Sequence, residues 1–342
     1  MKAAIYNPYW DSMGGGERYT LTFARVLVGL GYLVEIEWDG KDIIKKLSDR
    51  FGINLQNVRF VKSVNKGEGY DLCFWISDGS IPLMKARQNI LHFQFPFRDV
   101  RGKSLMNKMK LHRINHVVSN SKFTKNIVDQ EYGIDSIVIY PPVDTKMFKP
   151  QMKENIILYV GRFSQLAQSK NQHVLIDVFK KYYDEGGKGW KLVLAGGSGV
   201  GTGDYVKKLQ NSAKTYPIRI LKNPNLKKLK EMYGKSKIFW SAVGFGSDER
   251  KNPEKFEHFG ISLVEAMSAK CVPIVFAGGG YREIINRDSN GYFWEKKLEL
   301  INQTKLLNKD DRKLRSIARI SKVDSEKYSD QKFEKRVKEM LP

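Results

Sequence analysis

Glu257 and Glu265 stand with seven residues between them in the run F-E-H-F-G-I-S-L-V-E-A-M-S-A that opens at Phe256. Phe259-Gly260 interrupts regular structure there, and the apolar spacing of Ile261, Val264, Ala266 and Met267 predicts a helix over 261–269, started by Gly260 or Ser262. The first turn of a helix presents unpaired N–H groups and the positive end of its dipole. The amides of Gly260, Ile261 and Ser262, with Phe259 beside them, can therefore hold a phosphate. A carboxylate just ahead of that turn would repel the anion, so Glu257 suits sugar hydroxyls instead. Glu265, one turn inside, suits the vicinal hydroxyls of a ribose. Phosphate, sugar and ribose together describe a nucleotide sugar. A buried strand and Gly278-Gly279-Gly280 follow, and the backbone of Gly279 and Gly280 is expected to meet sugar hydroxyls beside Glu257. Further upstream, Arg162 and Lys170 follow a strand over 155–160 and flank the start of a helix over 172–183. Two fixed cations in that position answer the charge that builds on a diphosphate as a glycosidic bond breaks.

The Glu-x7-Glu pair, with Phe259-Gly260 inside it and Ala266-Met267 after it, resembles that of family 4 glycosyltransferases. These are retaining enzymes of GT-B fold, and the string is most similar to mannosyltransferases that extend lipid-linked oligosaccharides. The resemblance implies two doubly wound Rossmann-like α/β domains facing across a cleft, with no cofactor and no metal. Arg162 and Lys170 resemble the Gly-Arg…Lys element that grips the donor phosphates, with Asn171 in place of a commoner glycine. Gly15-Gly16-Glu17-Arg18 resembles the family's first glycine loop, which implies that Gly15 and Gly16 reach the donor diphosphate. His92 lies where a parallel strand would deliver it to a ligand crevice, and its position resembles the histidine that reaches the donor sugar; with Glu257 it makes the expected catalytic pair. Lys222-Asn223-Pro224 lies where relatives lodge the base but lacks their glycine, which leaves GDP-linked and UDP-linked donors both open.

These residues need elements to hold them. Strand over 2–6, glycine loop, helix over 17–31 and strand over 33–38 make the opening of a doubly wound domain. Gly14-Gly15-Gly16 lacks the spacing of a dinucleotide fingerprint, so NAD is not expected. Further strands read at 70–76, 89–93, 116–119 and 137–140. Pro141 to Pro150 has proline at both ends and no periodicity, so it reads as a linker. The same plan then restarts, with strands at 155–160, 190–195, 219–221, 238–242 and after Cys271. The expected division is an acceptor-side domain over 1–147, a nucleotide-sugar domain over 148–323 and a final helix over 324–342 that crosses back, anchored by Tyr328 and Phe333. Gly244 to Lys255 is longer than the connection expected before Glu257, and reads as either a flap or a plain surface insertion.

A chain of 342 residues exceeds one compact core. No run of about 18 apolar residues exists to span a bilayer, and the short Ala3-Ala4-Ile5-Tyr6 run is no signal peptide. Two cysteines without ligand spacing imply a reducing, cytoplasmic setting. The formal charge of +22 favours anionic partners. Ten basic residues crowd 85–125 against one acid, Asp99, and are interleaved with Leu105, Met106, Met109 and Leu111. That mixture suits the anionic face of a membrane, with the protein peripheral to it. Nucleic acid is not expected, because base-stacking aromatics are not interleaved with these basic residues. The acceptor implied is a glycan or lipid-linked hydroxyl. The alternatives are a nucleotide-sugar epimerase of the same fold and a non-enzymatic module binding membrane or nucleic acid.

Overall fold

The computed structural model describes residues 1–10, 14–40, 43–53, 55, 57–165, 168–198 and 201–341. Parts of three expected loops, at 11–13, 166–167 and 199–200, lie outside them. The chain forms two compact units, Met1–Pro142 with Asp330–Pro342, and Val143–Ser329.

In the first unit the strands are β1 (Lys2–Tyr6), β2 (Leu33–Glu37), β3 (Val58–Val61), β4 (Leu72–Ile76), β5 (Gln88–Phe93), β6 (His116–Ser119) and β7 (Ile137–Val138). They lie in the order β3-β2-β1-β4-β5-β6-β7, all parallel. The helices between them are α1 (Gly15–Gly29), α2 (Ile43–Phe51), α3 (Leu105–Leu111) and α4 (Lys122–Tyr132). Strands covered on both faces read as continuous apolar runs, as Leu-Cys-Phe-Trp-Ile of β4 does. Tyr19, Phe23, Val26 and Leu27 of α1 bury their stripe in this core, whereas Leu30 caps the helix and is exposed. Ser121 starts α4 by accepting from the Thr124 N–H at 3.0 Å, and left-handed Gly133 stops it.

The second unit repeats the plan. Its strands are β8 (Glu154–Val160), β9 (Lys191–Gly196), β10 (Ile218–Lys222), β11 (Ser236–Ser241), β12 (Val272–Phe276) and β13 (Tyr292–Trp294). They order as β10-β9-β8-β11-β12-β13, again all parallel. Helices α5 (Gln172–Asp184), α6 (Gly203–Ala213), α7 (Leu226–Lys235), α8 (Ile261–Ser268), α9 (Tyr281–Ile284), α10 (Lys297–Lys309) and α11 (Asp311–Ser325) connect and cover them.

Two stretches differ from their sequence reading. The linker is not loose after Val143: its N–H donates to the Tyr328 carbonyl at 3.0 Å, Thr145 donates to Glu326 at 2.8 Å, and Phe148 is buried against Tyr233. The second unit accordingly begins at Val143 rather than 148 and runs to Ser329 rather than 323. The helix expected over 324–341 is also two pieces. A 3-10 turn at Glu326–Tyr328 and an extended Ser329 separate α11 from α12 (Asp330–Met340). Phe333 meets Tyr19 edge-on at 4.9 Å and Arg25 pairs with Asp330 at 3.1 Å, so α12 is sealed into the first unit's core. Burying a phenylalanine in this way is worth about 1.5–3 kcal/mol. Tyr328, expected to help anchor it, belongs to the second unit and packs on Phe259.

Lys270 ends α8 where a glycine would sit easily. It adopts φ 62°, with its N–H on the Met267 carbonyl and that of Cys271 on Ala266, both at 2.9 Å. This is the paired C-terminal bonding of a Schellman turn, and a side chain in the left-handed position strains it. Lys270→Gly is expected to stabilise the protein by about 1 kcal/mol, measured as a raised urea midpoint at unchanged slope.

Candidate active site

Because the second unit's strands run parallel, their carboxyl ends share one edge of the sheet. The loops leaving that edge carry most of the residues singled out above. After β8 the chain turns at Gly161, whose N–H donates to the Ala195 carbonyl at 2.9 Å. A Cβ on Gly196, at the end of β9, would lie 1.9 Å from the Gly161 carbonyl oxygen, so these two loops touch backbone to backbone. The Gln172 amide donates to the Arg162 carbonyl at 2.9 Å, fixing the main chain under Arg162 while its side chain stays exposed.

Lys170, eight residues on, is only 8% exposed. Its ammonium donates to Glu257 Oε2 at 2.8 Å and to Gln168 Oε1 at 2.7 Å, and the Gln168 amide in turn donates to the Phe256 carbonyl. A loop after β8 is thereby tied to the segment before α8 by a largely dehydrated ion pair. Removing one partner of a buried pair strands the other charge and costs about 3–5 kcal/mol. Asn171 adopts φ 51° and is more than a tolerated glycine substitute. Its side-chain amide donates to the carbonyls of Ala242 and Phe245 at 3.0 and 3.1 Å, pinning the loop after β11.

Gly260 caps α8 at φ 118°, and a Cβ there would come within 2.7 Å of the Tyr281 ring. Tyr281 is buried and donates to Ser241 Oγ at 2.8 Å. Burial first, then the neighbouring Glu257 charge, pushes its hydroxyl well above the ordinary tyrosine value. Ile261 and Ser262 open the helix half-buried, Phe259 is buried beneath them, and Glu265 accepts from the Tyr233 hydroxyl at 2.8 Å. The structure therefore gathers Lys170, Glu257, Gly260, Ile261, Ser262 and the Gly278–Gly280 loop, with Arg162 on the same edge of the sheet.

The glycine loop departs from expectation. A Cβ on Gly279, at φ 58°, would lie 2.2 Å from the Glu257 carbonyl oxygen, and one on Gly280 would lie 2.5 Å from that of His258. The close approach explains the glycines, but it also employs their amides. The Gly280 N–H donates to the Glu257 carbonyl at 2.7 Å and the Gly279 N–H to Glu249 Oε1 at 2.6 Å, so both already have acceptors within the protein. Glu249 and Gln168 were not found by sequence reading, since neither lies in a periodic element.

In the first unit, Gly15 begins α1 exposed. A Cβ on Gly16 would meet the Gln94 side-chain oxygen at 2.8 Å. Gln94, two residues beyond His92, is the polar side chain that the end of β5 brings to the glycine loop. His92 itself is fully buried, stacked on Tyr19 with ring centroids 4.1 Å apart and on Phe74 at 5.5 Å. Neither ring nitrogen has a hydrogen-bond partner of good geometry. This corrects its expected catalytic role: the strand's inward face delivers the ring to the core.

Two doubly wound parallel α/β units in one chain define the GT-B class of fold. Residues 143–322, more than half of the chain, match the family model described as glycosyl transferases group 1, and the chain belongs to that family. A mannosyltransferase of Dictyostelium discoideum, named as acting from GDP-Man on Man(3)GlcNAc(2)-PP-Dol, is 28% identical over 200 residues. The match covers 52% of this chain and 37% of that relative, so the chain spans well under half of its length. Among solved structures, Anabaena Alr3699/HepE in complex with UDP and glucose superposes with TM-score 0.76 at 19% identity, covering 100% of this chain and 99% of the other. A glycosyltransferase from Rickettsia africae does so with TM-score 0.77 at 18% identity, covering 99% and 98%. Neither the epimerase nor the non-enzymatic module is favoured by these matches.

Burial pushes the His92 pKa down from 6.5 to about 3, with a smaller opposing influence from the Val118 backbone. The folded state then binds fewer protons than the unfolded chain between those values. Stability is expected to fall as pH drops from 6.5 toward 3, by up to about 1.4 kcal/mol per pH unit. Urea melts across that range should lose this component in His92→Leu.

Proposed function

We propose that this chain is a metal-independent retaining glycosyltransferase that moves a hexose from a nucleoside diphosphate sugar to a hydroxyl on a glycan or lipid-linked acceptor. The observation that carries this reading is the Lys170–Glu257 pair beside the open N-terminal turn of α8. It sets a cation and a carboxylate side by side where a phosphate-binding helix end begins. Arg162, Lys170 and the amides of Gly260 to Ser262 hold the diphosphate, Glu265 takes the ribose, and Glu257 takes a sugar hydroxyl. The acceptor oxygen forms its bond to the anomeric carbon on the face from which the phosphate oxygen departs. The departing phosphate takes the acceptor's proton, and the fixed cations and helix amides offset its charge. A GDP-linked donor is supported by the Dictyostelium relative and a UDP-linked one by the Anabaena complex.

Arg162 is the clean probe, because its side chain is exposed and carries little of the packing. Arg162→Ala is expected to lower transfer by about 100-fold or more while leaving the melting temperature nearly unchanged. Thermal shifts with UDP, GDP and their hexose conjugates identify the donor, since a ligand of the folded form raises apparent stability. Unaltered transfer in this variant, or shifts with none of these compounds, would refute the reading.

An anionic membrane surface is the second partner proposed, at α3. That helix buries none of its residues, and Leu105, Met106 and Met109 are 76%, 60% and 61% exposed beside exposed Lys103 and Lys108. Exposed apolar side chains ringed by lysines suit insertion at a headgroup boundary. Among the described residues no helix is long and apolar enough to cross a membrane. Arg113 donates to the Met84 carbonyl at 3.0 Å and is better left intact in tests. Co-sedimentation with vesicles containing phosphatidylserine is expected for the unmodified protein, and is expected to be lost in Lys108→Gln/Lys110→Gln/Met109→Ser. Equal recovery on neutral vesicles would argue against it.

A further inference from the structure

The stretch from Gly244 to Lys255 is not a loose insertion. Asp248 accepts from the Arg250 N–H at 2.9 Å and its carbonyl from the Asn252 N–H at 2.8 Å. Pro253 is buried, and Gly244, at φ 91°, leaves a Cβ no room against the Phe256 ring at 2.5 Å. This ordered loop aims Glu249 at the glycine loop. Oε1 accepts from the Gly279 N–H at 2.6 Å, and Oε2 is paired with the Arg282 guanidinium, itself held by the Ala277 carbonyl at 3.0 Å. The neighbouring Gly280 amide is taken by the Glu257 main-chain carbonyl, so the turn's two amides are held by one side chain and one backbone oxygen.

Resting on the donor-site reading above, we infer that Glu249 is a specificity-determining residue that reads a hydroxyl of the donor hexose in place of the Gly279 amide. An ionised carboxylate holding an amide and a guanidinium is bound about twice as strongly as a neutral hydroxyl competing for the same N–H. The sugar therefore does not displace it. A carboxylate has about four lone-pair sites, and those not given to Gly279 and Arg282 remain to accept sugar hydroxyls. The side chain keeps 23% of its surface open for that purpose. Its ligand class is a hexose with a free hydroxyl within reach of the glycine turn.

The test measures binding of nucleoside diphosphates and of their hexose conjugates to the full chain, unmodified and as Glu249→Ala and Glu249→Gln, with a panel of donors each lacking one hydroxyl. Glu249→Ala is expected to leave diphosphate binding within about twofold and to weaken the hexose donor by about tenfold to a hundredfold. One deoxy donor should bind both forms equally, marking the hydroxyl read. Parallel losses for diphosphate and donor would make Glu249 a structural prop, and tighter donor binding in Glu249→Ala would make it a plug; either overturns the assignment. No nucleotide binding by the unmodified chain would bring down the donor reading and this assignment together. Diphosphate binding with unchanged hexose discrimination sinks the Glu249 assignment alone.

Discussion

An ammonium and a carboxylate, both largely removed from water, hold together the loops at the carboxyl edge of the second unit's sheet. Lys170 and Glu257 are separated by 87 residues in the chain and by 2.8 Å in space. Each is tolerable in that position only because the other is there, since an isolated buried charge costs several kcal/mol. Around the pair, the loop after β8 and the approach to α8 share Gln168 as a bridge, and the glycine turn after β12 lies flat against the same segment. The pair brings both signs of charge together at that edge without leaving either uncompensated.

The same edge shows how a parallel sheet divides its labour. Strand interiors are apolar because both faces are covered, so polar chemistry is pushed to the loops at the carboxyl ends. The loops then need close contact with one another, and glycine provides it: Gly196 over the Gly161 carbonyl, and Gly279 and Gly280 over the carbonyls of Glu257 and His258. Amides brought this near to other chain segments find acceptors there, as those of Gly279 and Gly280 do.

Much of this was legible in the sequence. The two strand-loop-helix halves and the start of α8 at Gly260 follow from local rules of periodicity and capping. Four elements escaped: β3, α2, α9 and β13. β3 is an edge strand of four residues, half-buried and carrying Arg59, so it lacks the apolar run that marked its neighbours. The reading of His92 failed for a related reason. Strand alternation shows that a side chain points to one face, and a histidine at a strand's carboxyl end looks like a ligand group until the rings of Tyr19 and Phe74 are seen closing over it.

The sequence alone determined most of where the chain is helical, extended or turning, because burial periodicity and the steric demands of glycine are written locally. The tertiary structure alone decided which polar groups meet: Lys170 with Glu257, Glu249 with the Gly279 amide, Asn171 with the loop after β11, Phe333 with Tyr19. Such pairings join residues tens to hundreds of positions apart. They are set by how loops of irregular conformation pack at the edge of a sheet, where no repeating pattern exists to record them.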